Sequence, residues 1–141
     1  MEDADRPGDE SLAEVFWSVA RRLRHLTHET LEPIGITPGQ SRAVAVLMRH
    51  GVMRLSELSD HLRIAPRSTT EVVDGLQERG LVERRPDPAD RRATLVALTD
   101  AGQATAEAIR AARHAEAERF FAGLGTEDRE TLGRILRTLR P

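Results

Sequence analysis

Apolar residues first fall into a regular pattern at Leu12. Leu12, Val15, Phe16, Val19, Leu23 and Leu26 recur at spacings of three and four, which predicts a helix with one apolar face from about Ser11 to Leu31. Pro33 and Gly35 break it. Thr37-Pro38-Gly39-Gln40 then places Thr at the N-cap, Pro at the first helical position and Gln three residues past the cap. That is a capping box, and it starts a second helix that carries Val44, Leu47 and Met48 and stops at Gly51. Ser56 reads as the N-cap of a short third helix reaching about Leu62. A fourth spans about Pro66 to Arg79 and ends at Gly80, a residue suited to a left-handed cap.

From Leu81 the pattern changes. Leu81 to Arg85 and Ala93 to Leu98 flank the turn-rich Pro86-Asp87-Pro88-Ala89-Asp90, which predicts a two-stranded hairpin with an extended tip. A lone hairpin is marginal in water, so it must pack on the helices. An alanine-rich helix follows from Thr99 or Asp100 to about Phe121, and Thr126-Glu127-Asp128 caps a last helix bearing Leu132, Ile135, Leu136 and Leu139. The predicted fold class is therefore mainly α with a small β-hairpin wing. A winged helix-turn-helix lobe over 37–99 is joined to a helical region made from 11–36 and 100–141, after an acidic tail over 1–10.

At 141 residues the chain suits one domain. The absence of cysteine excludes disulfides, thiolate nucleophiles and thiolate metal sites. No apolar run approaches a membrane span, and MEDADRPGDE lacks the basic and apolar regions of a secretion signal, so a cytoplasmic protein is expected. The net charge of −2 looks unfavourable for a nucleic-acid partner, but residues 1–10 hold five acids (Glu2, Asp3, Asp5, Asp9, Glu10) against Arg6 alone. The rest of the chain is mildly basic, and the tail's composition predicts mobility. All the basic side chains are arginine, each with a planar, forked donor.

Two short helices joined by a tight turn, with a hairpin directly after the second, describe a helix-turn-helix with a wing. Leu55, Leu58, Leu62, Ile64, Val72, Val73 and Leu76 are its expected core. Arg67, Ser68, Thr69 and Thr70 occupy the first turns of the second helix, the positions that reach base edges in this motif. The Arg67 fork matches O6 and N7 of guanine, and the hydroxyls suit phosphate or a base. The wing adds Arg84, Arg85, Arg91 and Arg92, and an arginine at such a tip can enter a narrow minor groove. Residues 54–92 hold eight arginines against eight acids, so affinity should rest on a few placed arginines and show a modest salt slope.

The residues from Leu58 through Gly80-Leu81-Val82, and above all Asp87-Pro88-Ala89-Asp90-Arg91-Arg92 followed by Val96-Ala97-Leu98-Thr99, resemble the MarR family of regulators over nearly the whole chain. The resemblance implies a homodimer, a palindromic double-stranded DNA operator, and release by a small anionic aromatic effector. It makes Asp90 and Arg92 the paired acid and base of the wing, with Asp90 orienting the Arg92 guanidinium. It places Trp17, Arg21 and His25 beside a ligand cavity. It assigns dimerisation to the terminal helices: Leu12, Val15, Phe16, Phe120, Phe121, Leu132, Ile135, Leu136 and Leu139. Those apolar stripes need a partner surface in any case. Two departures fall in the recognition helix: Ala65 lacks a capping side chain, and Gly75 sits in the interior, each costing about 1 kcal/mol.

Two other readings stay open. His25 and His28, near Glu29, with His114 form a candidate set for a metal-sensing regulator, and the winged helix can serve as a protein-interaction module without DNA affinity. Catalysis finds no support, because no nucleophile and base stand in an identifiable arrangement. No cofactor is implied.

Overall fold

The computed structural model describes residues 10–141. The expected tail over 1–10 thus lies, except for Glu10, outside the described residues. Helix α1 (Leu12–Leu31) is capped by Ser11, whose hydroxyl accepts from the Glu14 N–H while the Glu14 carboxylate accepts from the Ser11 N–H, both at 3.1 Å. A 3₁₀ turn (Glu32–Ile34) and Gly35, at φ 70°, lead to α2 (Pro38–His50). Its capping box forms as predicted, with Thr37 and Gln40 exchanging bonds of 3.1 and 3.2 Å.

A two-residue strand, β1 (Met53–Arg54), then precedes α3 (Leu55–Leu62). This corrects the expected start of α3: Ser56 lies inside the helix, Arg54 is the N-cap residue, and its N–H is taken by the Glu57 carboxylate at 3.4 Å. After α4 (Pro66–Glu78), the chain turns through Gly80 at φ 71°. The Gly80 and Leu81 N–H groups return to Gln77 and Leu76, which closes the helix as glycine at this place allows.

Strands β2 (Val82–Asp87) and β3 (Asp90–Leu98) form the hairpin. The sheet has three strands in the order β1-β3-β2, all antiparallel, so the expected two-stranded hairpin gains a third member through Met53↔Val96 and Arg54↔Leu95. Helix α5 (Asp100–Phe121) follows, with the Thr99 hydroxyl accepting from the Gly102 N–H at 3.0 Å. In α6 (Thr126–Leu139) the N-cap is Gly125, one residue earlier than expected.

The described residues divide into two compact units: one comprises 10–30 with Arg113–Pro141, the other Leu31–Ala112. The second holds the helix pair and wing around Val44, Leu47, Leu58, Leu62, Val73, Leu76, Val82 and Val96. It extends past the expected 37–99 because Leu31, Ile36, Ala106 and Ile109 join that core. Of the expected helix-pair core, Leu58, Leu62, Val73 and Leu76 are buried, while Leu55, Ile64 and Val72 pack against it partly exposed. The first unit keeps its apolar face open: Leu12, Phe16, Trp17 and Leu139 are 87%, 52%, 59% and 75% exposed. No helix among the described residues is long and apolar enough to cross a membrane.

Candidate nucleic-acid interface

Helix α4 is positioned by three devices. Its buried face, Val73 and Leu76, packs on α2 and α3. Its interior Gly75 faces the α2 capping box, where an added Cβ would lie 2.5 Å from Gln40 Nε2. The glycine that weakens the helix locally therefore leaves room for the cap of its neighbour. At the far end, Arg79 donates to the carbonyls of Ile34 and Gly35 at 2.9 and 2.8 Å. Ala65 is the N-cap and supplies no side-chain bond, as its residue type dictates.

With α4 held this way, Arg67 and Ser68 are exposed in its first turn, and the Arg67 guanidinium has no partner among the described residues. Thr70 is half-buried and bonds the Pro66 carbonyl at 3.0 Å. Thr69 departs from the expectation. It is 0% exposed, accepts from the Ser59 hydroxyl at 2.6 Å and donates to the Ala65 carbonyl at 3.2 Å. Thr69 is a buried link between α3 and α4 and is unavailable to a base or phosphate. Helical spacing puts residue 69 on the same face as Val73 and Leu76, which is the signal that identifies it as inward-facing.

The wing also sorts its arginines. Arg84 pairs with Asp74 at 2.5 Å and with Gln77, both on α4, so it braces the base of the wing against the helix. Arg85 pairs with its neighbour Glu83. Arg91 and Arg92 are exposed, with no side-chain partner among the described residues. The expected Asp90–Arg92 ion pair does not form: the Asp90 carboxylate accepts from the Arg92 backbone N–H at 2.9 Å and shapes the turn instead.

The acid that does hold an arginine is Asp87, only 8% exposed. It accepts from the Ala89 N–H at 2.8 Å and from Arg54 Nε at 2.7 Å. The Ala89 N–H chiefly holds its pKa below the usual carboxylate value, burial opposes this, and Arg54 adds to the lowering. Sequence reasoning missed Arg54 because it belongs to a strand too short to show a period. An open cleft of about 300 Å³ beside it is lined by Arg54, Leu55, Ser56, Asp90, Arg92 and Thr94.

In the first unit, Trp17, Arg21 and His25 are exposed at intervals of four on α1, and His25 Nε2 lies 3.2 Å from Glu29. Among the described residues no group of three or more histidines and carboxylates is gathered to hold a metal, so His25, His28 and His114 form no such set within this chain. Phe120 and Phe121 meet edge to face at 5.1 Å. Phe121, Leu132, Gly133 and Leu136 line a shallow apolar depression of about 200 Å³, with Arg129 at its edge.

The MarR family profile matches residues 36–94, the helix pair and most of the wing. An HTH-type transcriptional regulator of Mycobacterium leprae, ML2140, is 34% identical over 118 residues, covering 84% of this chain and 78% of that protein. The HTH-type transcriptional repressor MdtR of Bacillus subtilis is 28% identical over 126 residues, covering 87% and 81%. Among solved structures, apo wild-type MarR from E. coli superposes with a TM-score of 0.85 at 26% identity, covering 94% of this chain and 98% of that one. A mutant of that protein complexed with operator DNA gives a TM-score of 0.71 at 27% identity over 92% and 94%. Helix pair, wing and whole-chain similarity agree: the chain belongs to the MarR family, a family of transcriptional regulators and not of enzymes.

Proposed function

We propose that the chain acts as a cytoplasmic homodimer that binds a palindromic operator, represses its own or a neighbouring operon, and is released by a small aromatic or anionic ligand. The observation that carries the DNA reading is the pairing pattern of the arginines. Arg67 on the recognition helix and Arg91 and Arg92 on the wing are exposed and unpaired among the described residues, while Arg84 and Arg85 are neutralised by the fold. With α4 in the major groove, the wing reaches the flanking minor groove, and two copies read half-sites about 34 to 36 Å apart. The operator complex of the E. coli relative and the repressor name of MdtR support the same reading.

The open apolar faces of α1 and α6, with Leu12, Val15, Phe16, Ile135, Leu136 and Leu139 exposed, support a second copy as their cover. The stripe Trp17, Arg21, His25 supplies a ring, a cation and an imidazole suited to an aromatic acid. Such a ligand releases DNA only through unequal affinity for the bound and free conformations.

The test is fluorescence anisotropy against the DNA upstream of the chain's own gene and a scrambled duplex at two salt concentrations, with an Arg92→Ala variant alongside. Preference for the upstream duplex that weakens in the variant supports the reading. Absence of binding to both duplexes at low salt overturns it in favour of a protein-interaction module, and flat titrations with aromatic acids remove the ligand component.

A further inference from the structure

The eight arginines between residues 54 and 92 divide into two sets. Arg54 is held by Asp87, Arg79 by the carbonyls of Ile34 and Gly35, Arg84 by Asp74 and Gln77, and Arg85 by Glu83. Arg63, Arg67, Arg91 and Arg92 are exposed, and their guanidinium groups have no partner among the described residues. Three of these four already belong to the proposed interface. The remaining one, Arg63, lies in the turn between α3 and α4.

Its backbone makes Arg63 unusual. It sits at φ 54°, ψ 43°, the one non-glycine residue at positive φ among those described. The fold requires this conformation: the Arg63 N–H returns to the Asp60 carbonyl at 3.3 Å, the Ile64 N–H to Ser59 at 3.4 Å, and Ile64 packs against the core. A left-handed helix stop of this kind suits glycine, which has no Cβ to crowd the carbonyl, and strains arginine. Among the described residues the side chain makes no contact that offsets the strain, and the Asp60 carboxylate three positions back does not pair with it.

We propose that Arg63 is a DNA-phosphate contact, seated on the backbone that borders the groove occupied by α4. The inference rests on the DNA-binding reading above. Arg67 lies four positions after Arg63, a span of at most about 14 Å even if fully extended, and a major groove is about 12 Å wide. An exposed arginine within that reach of a base-reading position is close enough to meet the phosphates at the groove's edge. There its charge adds affinity without sequence preference.

The test is Arg63→Gly, with Arg63→Lys as a charge-retaining partner. Glycine relieves the strain, so the thermal midpoint should rise by a few degrees, on the order of 2 to 4 °C. Affinity for the upstream and scrambled duplexes should fall by the same factor, roughly eightfold at 0.1 M salt, and the slope of log K against log salt should lose about 0.9. Arg63→Lys should keep the wild-type slope. A gain in stability with no change in affinity or slope overturns the phosphate contact while leaving the DNA reading standing. A loss of stability together with binding shows a structural residue and overturns it as well. Failure of the wild type to bind either duplex at low salt overturns both.

Discussion

The hydroxyls of Ser59 and Thr69 meet at 2.6 Å inside the helix pair, Ser59 donating, with the two residues 5% and 0% exposed. Thr69 passes the chain on to the Ala65 carbonyl, the backbone of the very residue that lacks a capping side chain. Thr69→Val keeps the volume and removes both bonds. It should cost about 1 to 3 kcal/mol of unfolding free energy, measured by urea denaturation, because the Ser59 hydroxyl is left buried without its acceptor. The salt slope of DNA binding should stay at the wild-type value. Adding Ser59→Ala should cost less than the sum of the single changes, since the two residues form one interaction.

Gly102 sets a second structural limit. A Cβ there would lie 1.9 Å from the Leu81 carbonyl oxygen, which also accepts from the Thr99 N–H at 3.1 Å. Moving α5 and that carbonyl apart stretches the Thr99–Leu81 bond. Gly102→Ala should destabilise by about 1 to 3 kcal/mol despite its better helix propensity, as a shift of the denaturation midpoint will show.

Asp87 makes the wing sensitive to acid. Its pKa is lowered in the fold, chiefly by the Ala89 N–H with help from Arg54, so the charged form binds more favourably in the folded state. Its contribution is complete above the usual carboxylate pKa of about 4 and is lost as pH falls through the lower, folded value. Asp87→Asn should therefore melt earlier than wild type at neutral pH, with the difference shrinking as the buffer is acidified below about pH 4. A gap that stays constant from neutral pH to pH 2 would contradict this assignment.

The wing arginines should separate in their salt response. Arg91→Ala and Arg92→Ala each remove a free cation and should lower the binding slope by about 0.9. Arg84→Ala removes a cation already spent on Asp74 and Gln77, so its slope should change less while the thermal midpoint falls. Equal slope losses in all three variants would show that Arg84 leaves Asp74 for DNA.

Elements with a long period or a specific cap were legible before any coordinates. The Thr37–Gln40 box and the Gly80 stop announce themselves by residue type, and both form. What escaped reading depends on partners distant in sequence. β1 is two residues long and exists only because Met53 and Arg54 meet β3 some forty positions later. Ser56 has the chemistry of a cap, but the cap falls two residues sooner, on Arg54 at the end of β1. The resemblance pairs Asp90 with Arg92, whereas the buried acid is Asp87 and its arginine lies across the sheet in β1. The inward face of Thr69 was readable from helical spacing, and the presence of a hydroxyl near the recognition end masked it.

The third strand also decides how the wing responds to load. β1 pairs only with Leu95 and Val96, at the root of β3, so the outer part of the hairpin projects as a two-stranded beam clamped at one end. Its register shifts between Pro86 and Asp87, where a uniform ladder is interrupted. Arg54 acts as a strut from the clamp to that weak point, gripping Asp87 at 2.7 Å. The stiffness with which Arg91 and Arg92 are presented is thus set by a residue outside the hairpin. Substitutions at position 54 can retune the wing's compliance to groove width while every side chain at its tip stays the same.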